Sequence, residues 1–171
     1  MRGRAAALLL AVAAVVILAD QVTKARVRSL LTQEGTSIPL IGRFVRIAYT
    51  RNTGAAFGML PGYGVMFIIV SVVVLIGIGA YLWRYGPTRK WILVALGLVA
   101  GGACGNLIDR VMVGRVTDFI QIPFDFPVFN IADSGIVVGV AMLVWWLLFG
   151  PAPPAEAPGK DPAPDATVAE Q

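Results

Sequence analysis

The chain has 171 residues, 57% of them hydrophobic and only 14% charged, with a formal net charge of +4. That balance leaves too little polar surface for a soluble domain of this length and points to an integral membrane protein. One cysteine and no histidine exclude an internal disulfide and Ser-His or Cys-His chemistry, and argue against a zinc or iron centre on those ligands. Any catalysis must rest on Asp, Glu, Lys, Ser, Thr or Tyr. The positive charge is read as topology and lipid contact, not as nucleic-acid binding.

In chain order, the first element is an apolar run of 15 residues, Ala5 to Ala19, behind Arg2 and Arg4 and ended by Asp20. It has two readings. The basic start and the Ala11-Val12-Ala13 triplet resemble a secretory leader. The preferred reading is a helix that continues through Asp20 and Gln21 to Lys24. The loop from about Ala25 to Gly64 follows. Within it, Phe44, Arg46, Ala48 and Thr50 alternate with Val45, Ile47, Tyr49 and Arg51, which predicts a short strand or hairpin. Asn52-Thr53-Gly54 breaks it.

Val65 to Trp83 then gives 19 residues without a charge, Trp91 to Ile108 gives 18, and Ile131 to Phe149 gives 19 with Asp133 and Ser134 in the first turn. A bilayer core takes roughly 20 apolar residues as helix. Four spans are expected, at about 5–24, 65–83, 91–108 and 131–149: an all-α membrane protein, a four-transmembrane-helix bundle with a small extramembrane β element. The short loop Arg84–Lys90, RYGPTRK, carries three positive charges and reads as cytoplasmic. The whole-chain count opposes this, with six Lys or Arg on that side and eight on the other, so the positive-inside bias does not settle orientation. Residues 151–171 are rich in Pro and Ala, lack apolar periodicity and are expected to be a disordered tail.

Chemistry gathers at helix ends. Asp20 and Lys24 share a helix face at a spacing of four, as do Asn106 and Arg110. By topology, the ends of spans one and three and the start of span four meet at one membrane face. That face collects Asp20, Lys24, Asn52, Asn106, Arg110, Asp118, Asn130 and Asp133. A helix-end Asp such as Asp133 is equally readable as a cap. An ionisable group at a membrane boundary is nevertheless a functional candidate, and so many on one face favour function. Gly97, Gly101 and Gly105 at a spacing of four read as helix packing, and Cys104 as an apolar filler.

DQVTK (Asp20–Lys24), RNTGAAFG (Arg51–Gly58), GGACGNLIDR (Gly101–Arg110), VTDFI (Val116–Ile120) and FNIADS (Phe129–Ser134) occur in this order. Together they resemble lipoprotein signal peptidase, or signal peptidase II, a family of bacterial membrane aspartyl proteases. The resemblance runs from about Asp20 to Phe149. It implies removal of signal peptides from diacylglyceryl-modified prolipoproteins by a cut before the lipidated cysteine, with Asp118 and Asp133 as the catalytic pair. It places Asp20, Lys24, Asn52, Gly54, Asn106, Arg110 and Asn130 at positions that shape the site and support substrate, and puts a β-cradle at about 36–60.

It also implies an inner-membrane location with both termini cytoplasmic and the site facing outward. No cofactor is expected. The expected partners are prolipoprotein and membrane phospholipid, without nucleic acid, and the expected state is a monomer. Residues 1–150 would form the peptidase domain. Asp109, the rival for a catalytic place, is read instead as a structural residue ion-paired beside Arg110. Thr117 departs from the usual apolar residue before the first catalytic Asp, and is expected not to matter. The competing class, a small four-span transporter, would call for a carboxylate in mid-span, and Val65–Trp83 has none.

Overall fold

The structure is a computed structural model and describes residues 2–42, 44–54, 63–86, 89–124 and 126–150. The elements are α1 (Arg2–Leu30), β1 (Ser37–Ile41), β2 (Val45–Asn52), α2 (Gly64–Tyr85), α3 (Lys90–Val113), β3 (Val116–Gln121) and α4 (Ile131–Phe149). Among the described residues, four helices are long and apolar enough to cross a membrane, as the charge-free runs predict. The expected tail, and the end of the expected cradle from Ala55 to Leu60, lie outside the described residues.

α3 is the centre of the bundle, with α1 and α4 against it and α2 on a further side. Small residues allow this. A side-chain carbon added at Gly101 would stand 2.8 Å from the Ala13 carbonyl oxygen of α1, so any larger residue would push the helices apart. Ala13 is itself buried, which builds α1 into the bundle. By contrast, α2 buries only Ser71 among its described side chains. It packs on α3 and leaves a gap toward α4.

α1 runs six residues past its expected end at Lys24. The reason lies in partners that are distant in sequence. Val27 and Leu31 are buried in a small cluster with Tyr49 and Phe119, so the end of α1 becomes the support of the sheet. The sheet has the order β1-β2-β3 and is antiparallel throughout. β1 and β2 form the expected hairpin. β3 was not expected as a strand. Its residues Val116, Thr117, Asp118 and Phe119 are all buried, so both faces are covered and the usual alternation is missing. By pairing with β2, β3 ties the segment after α3 to the loop after α1. The β2–β3 register slips between Ile47, opposite Ile120, and Thr50, opposite Asp118.

α4 begins on a capping box. Asn130 Oδ1 accepts from the Asp133 backbone N–H at 2.9 Å, and Asp133 Oδ2 accepts from the Asn130 backbone N–H at 3.1 Å. Two orphan donors of the helix start are satisfied in this way. The capping reading of Asp133 is therefore correct, but one carboxylate oxygen remains for other work.

Candidate active site

The expected cluster forms. The ends of α1 and α3, the start of α4, the end of β2 and the middle of β3 converge, and bring Asp20, Lys24, Asn52, Asn106, Asn130, Asp118 and Asp133 into one hydrogen-bonded network. Gly54 and Arg110 line the adjoining cavity. Asp118 is held in the middle of β3.

Asp118 and Asp133 receive one amide donor on each oxygen. Asp118 Oδ1 accepts from Asn130 Nδ2 at 2.6 Å and Oδ2 from Asn52 Nδ2 at 2.9 Å. Asp133 Oδ1 accepts from Asn106 Nδ2 at 2.7 Å, opposite the capping bond on Oδ2. Asn130 touches both carboxylates, so one residue bounds their separation.

The amide orientations follow from donors that cannot accept. Asn106 Oδ1 faces Lys24 Nζ at 3.1 Å, and an ammonium has no lone pair, so the Asn106 nitrogen must face Asp133. Asn52 Oδ1 accepts from the Gly54 N–H at 2.9 Å, and Asn130 Oδ1 from the Asp133 N–H. All three asparagines are thereby set as donors toward the carboxylates.

Burial pushes the Asp118 carboxyl up to about 6, and the nearby Asp133 adds to the rise; hydrogen bonds from Asn52 and Asn130 and the charge of Lys24 oppose it. Desolvation disfavours the charged form, and a like charge alongside does the same.

Beneath the pair lies a buried ion cluster. Lys24 is fully buried and has three acceptors: Asp20 Oδ2 at 2.8 Å, Asn106 Oδ1 at 3.1 Å and Asp109 Oδ2 at 3.4 Å. One ammonium has three protons, so it is saturated. Asp20 Oδ1 in turn accepts from the Ala132 N–H of α4 at 3.0 Å. Gly105 makes room, because a side-chain carbon there would stand 2.7 Å from Asp20 Oδ2.

Asp109 is ion-paired, as expected, but its partners are not its sequence neighbour Arg110. Asp109 is 1% exposed and pairs with Lys24 and with Arg28, 3.5 Å away. Adjacent residues on a helix point in different directions, and Arg110 turns instead toward the cavity, over the Phe67 ring at 5.0 Å. Sequence reasoning missed Gln21, Arg28 and Phe67. The spacing of four from Lys24 to Arg28 placed Arg28 on the right face of α1, had α1 been expected to extend that far.

A cavity of about 790 Å³ opens from the carboxylates into the gap between α2, α3 and α4. Its far walls are apolar and include Val70, Val74, Val137 and Val140. A second cavity of about 260 Å³ touches Asp118 from the sheet side, between Thr50–Gly54 and Pro127–Val128. Among the described residues, no group of three or more His, Cys, Asp or Glu side chains is placed to hold a metal.

Membrane-crossing helices around a donor-lined carboxylate pair at the head of an apolar cavity define a polytopic membrane enzyme. Two solved structures agree in class. A bacterial membrane enzyme determined by the in meso method at 2.3 Å resolution superposes with a TM-score of 0.76 at 37% identity, covering 82% of this chain and 87% of that one. A second, at 1.9 Å, gives 0.74 at 37% identity, covering 82% and 92%.

The model of the signal peptidase (SPase) II family matches residues 12–149, and the chain belongs to that family of membrane proteases. It is 44% identical over 135 residues to the lipoprotein signal peptidase of Pelotomaculum thermopropionicum (79% of this chain, 88% of that one). It is also 44% identical over 152 residues to that of Geobacillus thermodenitrificans (87% and 94%). The Bacillus subtilis enzyme is 44% identical over 135 residues (77% and 87%).

Proposed function

We propose that this protein is an aspartyl endopeptidase of the bacterial inner membrane. It removes signal peptides from diacylglyceryl-modified prolipoproteins by cutting before the lipidated cysteine, with Asp118 and Asp133 as the catalytic pair. The observation that carries the reading is the placement of these two carboxylates, each oxygen holding one oriented amide donor, at the head of the apolar cavity, with Asp118 also reaching the smaller one.

Amide hydrolysis here needs an activated water. Two close carboxylates supply it when they share one proton. One takes a proton from the attacking water while the other, protonated, donates to the scissile carbonyl oxygen. The tetrahedral intermediate then collapses, and the leaving amine takes a proton from the pair. Each half of the acid–base work is worth roughly 10²–10⁴ in rate. The shared proton belongs to the pair, and the donor pattern is symmetric, with two donors on each carboxylate.

The apolar cavity accommodates the signal peptide and the acyl chains, whose natural place is the lipid between α2 and α4. The smaller cavity on the sheet side is the path by which the downstream chain leaves. Arg110, which makes no ion pair among the described residues, meets the polar junction of the lipidated cysteine, since guanidinium pairs well with ester and phosphate oxygens. In this reading both termini are cytoplasmic, the site faces outward, the partners are prolipoprotein and phospholipid, and the enzyme works as a monomer without nucleic acid or cofactor.

The test is mass spectrometry of products. Purified protein given a prolipoprotein with and without its diacylglyceryl group should yield mature chains that begin at the lipidated cysteine, from the modified precursor only. Equal cleavage of the unmodified precursor, or a cut elsewhere, would overturn the substrate assignment.

A further inference from the structure

The rear face of β3 carries a contact that the chemistry above does not use. Thr117 lies beside Asp118 but points to the opposite side of the strand, and is 3% exposed. Its backbone N–H donates to Asp109 Oδ2 at 2.9 Å, and its hydroxyl accepts from Arg28 Nη1 at 2.9 Å. The same guanidinium nitrogen lies 3.5 Å from Asp109 Oδ1. Thus α1, α3 and β3 are joined by three residues directly behind Asp118. The sheet ladder does not do this alone. Its register slips between Ile47 and Thr50, next to the Thr50–Asp118 pair, and such an irregularity locally disrupts the ladder.

We propose that Arg28 and Thr117, acting with Asp109, are positioning residues that set where Asp118 stands relative to Asp133. The inference rests on the catalytic-pair reading. The hydroxyl bond is charge-assisted and therefore strong and directional. A small displacement of a reacting group is expensive in rate. The threonine that departs from the family's usual apolar residue thus has a partner here, and in this proposal it takes a role that the sequence did not suggest.

The test compares Thr117→Val, Thr117→Ser and Arg28→Met in the full chain, reading kcat, KM and thermal unfolding with lipid-modified prolipoprotein as substrate. Valine keeps the shape and removes the acceptor. Thr117→Val should lower kcat about tenfold with KM within about twofold, and Thr117→Ser should stay near wild type. The Val/Met double variant should be no slower than the slower single variant, because both break one contact. Wild-type kcat in Thr117→Val would overturn the proposal even if its Tm fell, since the contact would then only brace the fold. Equal losses in Ser and Val, or additive losses in the double variant, would overturn it too. If Thr117→Val does not fold, Arg28→Met against Arg28→Lys carries the same comparison. Asp118→Asn separates the two claims: its normal activity would remove the catalytic pair, and with it the proposal. An inactive Asp118→Asn beside a wild-type Thr117→Val would remove the positioning role alone.

Discussion

The two sides of the carboxylate pair are built in opposite ways. Behind it, toward α1 and the inner face of α3, side chains are charged, buried and saturated: Lys24 with three acceptors, and Asp109 with Lys24, Arg28 and the Thr117 amide. In front of it, between α2 and α4, the walls are apolar and the space is open. A buried charge network is costly unless every member is paired, and here the pairing spans three elements. In the proposed reading the rear fixes geometry and the front admits substrate. Damage to the rear should appear in stability and kcat, and damage to the front in KM.

The largest expected effect is at the rear. Lys24→Met leaves Asp20 and Asp109 facing each other without their shared cation. Breaking a buried pair on one side costs about 3–5 kcal/mol, so thermal unfolding in detergent should drop steeply and activity should vanish. A Tm within a few degrees of wild type would mean that the cluster is not a frame. Gly105→Ala should come next. Its new carbon would crowd Asp20 Oδ2, and overpacking of this kind costs about 1–3 kcal/mol.

At the front, Val137→Trp narrows the apolar cavity from an exposed position on α4. The expected result is a severalfold rise in KM with kcat and Tm nearly unchanged, the signature of lost uniform binding. A fall in kcat with unchanged KM would move Val137 to the wrong side of the comparison.

The smallest effect is on pH. Asp118 in the fold holds its proton up to about 6, above the roughly 3.9 of an unfolded Asp. The folded state therefore binds more protons in that window, and stability from this group falls as pH rises through it. For the same reason kcat/KM should show an alkaline limb near pH 6, where the free enzyme loses the proton its acid step needs. Asn52→Ala removes a hydrogen bond that favours the charged form, so the limb should move to higher pH. Movement down would reverse the assigned role of Asn52.

What the sequence disclosed divides along the same line. The spans were legible because a run of 18 or 19 residues without charge has few other uses. The front of the site was legible because Asn130 and Asp133 open a helix and Asn106 interrupts an apolar span, so each stands out against apolar neighbours. The rear was legible only in the Asp20–Lys24 spacing. Arg28 looked like a loop charge, and its contacts with Asp109 and Thr117 join the burial of Val27 and Leu31 in explaining why α1 continues. Asp109 has a neighbour in sequence, Arg110, but its ion-pair partners lie on another helix more than eighty positions away. β3 left no alternation to read, since both of its faces are covered. Each of these depends on contacts distant in sequence, which no local pattern encodes.

The most direct measurement of the central claim is single-turnover cleavage of lipid-modified prolipoprotein by wild type, Asp118→Asn, Asp133→Asn and the double variant, all verified as folded. Each single variant should lose about 10²–10⁴ in rate, and the double variant should be little worse than either, because the two carboxylates act as a unit. A folded Asp118→Asn or Asp133→Asn that cleaves at the wild-type rate would contradict it.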